Sequence, residues 1–183
     1  MCGRYLLRAV SDCVIDCIDE ICQRVIPLIR ILFVCHGNIC RSVAAEMVMR
    51  QMIDEEGLTG NVAVASAAVT REEIGNGIYP PMRKALVRAG VPCHPHAARL
   101  TTREDASRFD CLIGMDEENL DDMRRIYGPH AEDKISMLWD WAGMPGREIS
   151  DPWYTRDFDG CLQEIVTGCK GLLEAVRQGK AHP

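Results

Sequence analysis

Residues 30–42 read RILFVCHGNICRS. Ile31-Leu32-Phe33-Val34 is a short, unbroken apolar run, the pattern of a strand buried on both faces. It stops at Cys35. His36, Gly37, Asn38, Ile39, Cys40, Arg41 and Ser42 then separate it from a helical pattern. Ser42 reads as an N-cap, with Glu46 four positions on, and Val43 to about Glu56 as a helix stopped by Gly57. A strand, a polar loop and a helix in this order place two thiols and an arginine at the C-terminal end of a buried strand.

The rest of the chain repeats the alternation. Residues 61–66 read as a second strand, 67–79 as a loop, and 80–89 as a helix closed by Gly90. FDCLIGM at 109–115 is a third buried strand, and Asp116 caps a helix over 117–127 that Gly128-Pro129 breaks. KISML at 134–138 is a fourth strand, 139–156 a loop, and 157–178 an amphipathic helix. This order predicts an α/β fold: one three-layer domain over 29–183, a four-stranded parallel sheet flanked by helices, Rossmann-like or flavodoxin-like. In such folds ligands bind beyond the C-terminal strand ends, where Cys35 lies. Residues 1–28 form an extension. Leu7, Val10, Val14, Cys17, Ile21 and Val25 give residues 6–26 a helical stripe that Pro27 ends. The extension reads as a packing helix, a partner helix or residues ahead of a start near Leu28.

Composition narrows the function classes. A chain of 183 residues suffices for one domain with a sizeable core. A net charge of −6 argues against general nucleic-acid binding. No apolar run approaches the roughly 18–20 residues that cross a bilayer. Of the 10 cysteines, most sit within helix-like or strand-like runs, and no Cys-x-x-Cys pair occurs. Reduced thiols in a cytoplasmic protein are therefore expected, without a disulfide framework or a structural zinc site.

A cysteine six positions before an arginine is the minimum pattern of a thiol phosphatase loop, but it occurs three times: Cys2–Arg8, Cys35–Arg41 and Cys93–Arg99. Only Cys35 follows a buried strand, only Arg41 precedes a helical run, and only this copy holds Gly37 and Asn38, which tolerate left-handed backbone. A loop that curls before a helix start turns its N–H groups inward and makes an anion site. The same field favours a thiolate and so a nucleophilic Cys35. Arg41 offers a planar fork for two phosphate oxygens. Ser42 can donate toward the sulfur. A Walker loop is absent.

VCHGNICRS closely resembles the signature Cys-x-Gly-Asn-x-Cys-Arg-Ser-Pro of the low-molecular-weight protein-tyrosine phosphatases, with Val43 in place of the proline. DPWY at 151–154 resembles that family's general-acid loop. SAAVTREEIGNGIYPP at 66–81, HAAR at 96–99 and MDEENL at 115–120 resemble further segments in the family's order. The resemblance implies phosphotyrosine hydrolysis through a phosphocysteine, without cofactor or metal. Cys35 would be the nucleophile, Arg41 the phosphate ligand and Asp151 the general acid and base. His36, Gly37, Asn38, Ile39, Cys40, Ser42, Trp153 and Tyr154 would line the substrate site, and Ser66 and His96 would support the loop. In the family a cysteine at the Cys40 position can form a reversible disulfide with the nucleophile; a small packing residue is the alternative.

Two other activities share this fold. Arsenate reductases need a closely spaced downstream cysteine pair, which Cys93 and Cys111 do not make. Protein-arginine phosphatases carry a small threonine where Ile39 stands and lack the aromatic pair. Bulky Ile39 and the flat faces of Trp153 and Tyr154 suit a phenyl ring, so phosphotyrosine proteins or small aryl phosphates are the expected substrates. No feature of the sequence specifies an oligomeric state.

Overall fold

The computed structural model describes residues 28–181. The helix expected over 6–26 lies outside the described residues. Four parallel strands form the sheet: β1 (Ile29–Cys35), β2 (Val62–Ala68), β3 (Cys111–Gly114) and β4 (Ile135–Met137), in the spatial order β2-β1-β3-β4. Their register runs Ile29↔Val62 to Cys35↔Ala68, Ile31↔Cys111 to Phe33↔Ile113, and Leu112↔Ile135 to Gly114↔Met137. The expected α/β class and four-stranded sheet are the observed ones.

The helices are α1 (Arg41–Glu55), α2 (Pro80–Arg88), α3 (Asp105–Arg108), α4 (Glu117–Tyr127), α5 (Pro152–Thr155) and α6 (Phe158–Arg177). Strand alternation sorts the core into two layers. Ile29, Ile31, Phe33 and Cys35 share one cluster with Met47 and Met49 of α1, Leu86 of α2 and Ile165 and Leu172 of α6. Leu32 and Val34 face the other cluster, with Leu112 of β3 and Met123 and Tyr127 of α4. Every β1 residue except Arg30 is buried, which explains the unbroken apolar run in the sequence. The turn over 138–142 presses against α6: a Cβ on Gly171 would lie 2.4 Å from the Trp141 carbonyl oxygen, so the packing requires glycine there.

From β1 the chain moves to β2 on one side, then returns past β1 to β3 on the other. The crevice between β1 and β3 is therefore the topological switch point, and the loops after these two strands open onto it. Those loops begin at His36 and Met115.

Two local readings need correction. Helix α1 begins at Arg41 rather than Val43, and Ser42 is not its N-cap; Cys40 stands there with no side-chain cap bond. The Ser42 hydroxyl is engaged by Cys35 and Asn38 instead. The short helix α3 falls in a stretch given no element from sequence. Buried Asp105 organises it, accepting from Arg99 Nη1 (2.8 Å), Thr101 Oγ1 (3.0 Å) and the Thr102 N–H (3.0 Å). Burial pushes the Asp105 pKa up, but these hydrogen bonds and the Arg99 charge outweigh it and hold the carboxyl below its ordinary range. This contact ties the segment carrying His96 and Arg99 to the body of the domain.

Candidate active site

The five residues 36–40 join β1 to α1 and curl tightly. Asn38 makes this possible: its φ is +58°, in the left-handed region that asparagine tolerates better than most residues. Gly37 does not share that conformation. A Cβ there would lie 3.0 Å from Glu73 Cγ, a tight contact that a small shift of the Glu73 side chain relieves. The loop is fastened from outside by Val69 N–H to the Cys35 carbonyl (3.0 Å), Thr70 N–H to the His36 carbonyl (3.1 Å) and Tyr79 N–H to the Ile39 carbonyl (2.8 Å).

Asn38 is also the hub within the loop, with no solvent exposure. Its Nδ2 donates to Ser42 Oγ (2.9 Å) and Ser66 Oγ (2.8 Å), and its Oδ1 accepts from the Arg99 N–H (3.1 Å). His96 Nε2 lies 2.7 Å from the Asn38 carbonyl. A carbonyl only accepts, so the proton is on that nitrogen. Asn38, Ser42, Ser66 and His96 thus converge in one hydrogen-bonded cluster.

Cys35 Sγ lies 3.0 Å from Ser42 Oγ in a buried setting. Arg41, also buried, directs Nη1 to Asp116 Oδ2 (2.5 Å) and Nη2 to Asp151 Oδ2 (2.6 Å). Burial lowers the Arg41 pKa, but negative charge on Cys35, Asp151 and Asp116 overcomes it and the net shift is upward, so the cation is secure. Cys40 behaves oppositely. Burial, then the negative Cys35 and Asp151, push its thiol up to about 12, so it stays protonated at neutral pH. The six described cysteines are free thiols.

Asp116 is the residue that sequence reasoning missed as a site member. It does cap α4, its Oδ1 accepting the Asn119 N–H at 2.7 Å, but its other oxygen holds Arg41. The signal was topological: Asp116 follows β3, the neighbour of β1, so it had to face the loop after Cys35.

These groups line a pocket of about 290 Å³. Cys35, Arg41, Asp116 and Asp151 lie at its chemical centre, Ile39, Trp153 and Tyr154 give apolar walls, and His36, Glu72, Glu73 and Glu118 reach its lining. His36 Nε2 sits 3.2 Å from Glu72 Oε2. Tyr79, another unpredicted contributor, stacks obliquely on Trp153 with centroids 5.7 Å apart. Asp151 caps α5 by accepting the Trp153 N–H at 2.8 Å, which turns the aromatic pair toward the pocket. A second hollow of about 390 Å³ backs this loop and includes Cys161, whose thiol burial pushes up, but it joins no thiol to a paired arginine and acid. Cys93 and Cys111 are absent from the lining of the first pocket. Among the described residues, no three or more His, Cys, Asp or Glu gather to hold a metal ion.

A nucleophile candidate, a charge-paired arginine and an acid meet at the switch point of a fold that known proteins share. The model of the low molecular weight phosphotyrosine protein phosphatase family matches residues 30–182. The low molecular weight protein-tyrosine-phosphatase YfkJ of Bacillus subtilis is 34% identical over 154 residues, covering 84% of this chain and 99% of its own. The human low molecular weight phosphotyrosine protein phosphatase is 37% identical over 156 residues, covering 83% and 95%. The crystal structure of YfkJ superposes with a TM-score of 0.80 over 84% of this chain and 97% of that one. A protein tyrosine phosphatase from Entamoeba histolytica, 28% identical, gives 0.78 over 83% and 99%. The matched span runs from the first strand through the last helix and takes in the whole pocket, so the chain belongs to the low molecular weight phosphotyrosine protein phosphatase family.

Proposed function

We propose that this chain hydrolyses phosphotyrosine in proteins, and small aryl phosphates, through a phosphocysteine intermediate. The observation that carries the reading is the meeting of Cys35, Arg41 and Asp151 in one pocket with apolar walls. In the first step the Cys35 thiolate attacks phosphorus in line. The S–P bond forms as the P–O bond to the phenol breaks, and Asp151 gives its proton to the leaving oxygen. Arg41 and the backbone N–H groups of residues 36–41 take up charge on the equatorial oxygens. In the second step water attacks phosphorus, Asp151 accepts its proton, and the S–P bond breaks. Ser42, 3.0 Å from the sulfur, donates to the thiolate as it leaves.

Arg41 Nη2 already engages Asp151 Oδ2. Phosphate oxygens compete with that carboxylate for the guanidinium, while the second oxygen, Oδ1, accepts the Trp153 N–H. Binding and placement of the acid are thereby coupled.

Trp153 and Tyr154 support an aromatic leaving group, and Cys93 and Cys111, outside the pocket lining, offer no support for relayed arsenate reduction. Among the described residues no helix is long and apolar enough to cross a membrane. Steady-state kinetics on phosphotyrosine, phosphoarginine and arsenate, for wild type and Cys35→Ser, test the reading. Metal-independent turnover of phosphotyrosine is expected, lost in the variant. Full turnover by Cys35→Ser, or preference for either other substrate, overturns it.

A further inference from the structure

Glu46 is a buried carboxylate with no part in the chemistry just described. It stands on α1 one turn beyond Ser42, and its surroundings are unusual for an acid on a helix. Oε1 accepts from Arg50 Nε (3.0 Å) and Nη2 (2.7 Å), and Oε2 accepts from the Ser66 hydroxyl (2.5 Å). Arg50 Nη2 also donates to the Val64 carbonyl at 3.0 Å, which fixes the pair against β2. An i,i+4 Glu–Arg pair at a helix surface contributes little and needs no burial. Here the Ser66 bond turns the carboxylate inward.

That bond fixes the Ser66 hydroxyl at one end of a longer chain of hydrogen bonds. An ionised carboxylate only accepts, so Ser66 must donate to Glu46 and present its oxygen to Asn38. Arg99 N–H on Asn38 Oδ1 fixes the amide orientation, so both Nδ2 hydrogens point to serines, one to Ser66 and one to Ser42. Ser42, now an acceptor from Asn38, has one proton left to give. Cys35 Sγ at 3.0 Å is better placed to receive it than the Ala67 carbonyl at 3.4 Å. The two branches diverge from the Asn38 amide, which Ser66 and Glu46 hold on one side, and Cys35, Asn38, Ser42, Glu46 and Ser66 are all buried.

We propose that Glu46 is a positioning residue for the Cys35 thiolate, acting through Ser66 and Asn38, with Arg50 holding its carboxylate in place. The inference rests on the reading of Cys35 as the nucleophile. Without Glu46 the Ser66 hydroxyl is free to rotate, the Asn38 amide loses its fixed acceptor, and Ser42 is aimed at the sulfur less firmly.

The test measures kcat and KM for an aryl phosphate, and the rate of Cys35 alkylation by iodoacetamide at neutral pH, in Glu46→Ala, Glu46→Gln, Ser66→Ala and the Glu46→Ala/Ser66→Ala pair. Glu46→Ala is expected to lower kcat about tenfold, the scale of one hydrogen bond to a charged group, and to slow alkylation in parallel. KM moves less. Glutamine can offer its carbonyl oxygen to Ser66, so Glu46→Gln recovers most of both. In the Ser66→Ala background Glu46→Ala adds less than about a twofold loss, since the path is already cut. If Glu46→Ala does not fold by circular dichroism, Arg50→Gln, which frees the carboxylate, is expected to give a smaller loss of the same kind, also abolished by Ser66→Ala. Wild-type kcat and alkylation in Glu46→Ala, no recovery by glutamine, or an undiminished loss in the Ser66→Ala background each overturns the proposal. Full turnover by Cys35→Ser would overturn the nucleophile reading itself, a separable result.

Discussion

The two loops that form the pocket are built in opposite ways. In the phosphate loop Asn38 and Ser42 have no solvent exposure, Cys35 and Arg41 have 3% each, and backbone and side-chain bonds from four other segments hold them. The acid loop lies at the surface: Trp153 is 46% exposed and Tyr154 83%, on a helix of four residues. Its anchors are the Arg41–Asp151 pair at 2.6 Å, Ile149 N–H to the Met115 carbonyl and Ser150 N–H to Glu164, both at 2.8 Å, and the Tyr79 stack. The difference matches what each loop must do. An anion cradle stabilises charge without reorganising only if its dipoles are already fixed. In the proposed mechanism Asp151 turns from Arg41 toward the leaving oxygen, a step that a lightly anchored loop favours.

The largest effect should come from the fixed loop. Cys35→Ser is expected to lower kcat for phosphotyrosine by about 10⁴-fold or more, the scale of losing a covalent nucleophile, while phosphate still binds. Single-turnover trapping should detect phosphoenzyme in wild type and none in the variant; equal trapping in both would contradict the assignment. The acid loop comes next. Asp151→Asn should cost about 10²–10⁴-fold on phosphotyrosine, and clearly less on an aryl phosphate whose phenol leaves readily without a proton. Equal losses on both substrates would show that Asp151 serves structure rather than proton transfer.

Support within the rigid loop ranks below chemistry. Asn38→Ala removes both the hub amide and the easy left-handed backbone, and should destabilise the fold by about 1–3 kcal/mol in urea unfolding. Asn38→Gly keeps the backbone freedom and loses only the amide. If glycine and alanine prove equally damaging to stability, the amide bonds dominate; if glycine is nearly neutral, the positive φ does. In the exposed loop, Trp153→Ala should raise KM several-fold to tenfold, as expected for losing part of an apolar wall, and leave kcat nearly unchanged. A pure kcat effect would mean that Trp153 places Asp151 rather than binding the ring.

The same contrast governs what could be read from sequence. The buried strand and its cysteine were legible because β1, central and covered on both faces, must be apolar throughout. The Asn38 hub was legible through resemblance, since no local pattern announces contacts with Ser66 and His96. Asp116 was visible only as a helix cap, because capping is local and its bond to Arg41 spans 75 residues. Ser42 was misread for a related reason: serine before a helical run ordinarily caps it, but here the loop withholds its hydroxyl for the thiol. Helix α3 escaped because Asp105, which holds it, draws on Arg99 and Thr101 through tertiary contacts rather than on an apolar period.

The smallest effect at neutral pH, and the one that most sharply separates the two loops, concerns Cys40. Its thiol lies at about 12 against an ordinary 9.0, raised first by burial and then by the negative charges of Cys35 and Asp151. The folded protein therefore keeps this proton at pH values where the unfolded chain releases it. That contribution to stability is complete below about pH 9 and is lost as pH rises toward 12. Buried Cys111, at about 11, acts in the same sense. The acid-loop segment 149–156 holds no cysteine, so the phosphate loop should bear part of the alkaline loss and the acid loop none of it through a thiol. Thermal unfolding of wild type should show a midpoint that falls from pH 9 upward, and Cys40→Ser should flatten that fall while changing the neutral-pH midpoint little. Identical slopes would mean that the Cys40 thiol ionises alike in both states, and that the phosphate loop is less firmly closed to solvent than its hydrogen bonds require.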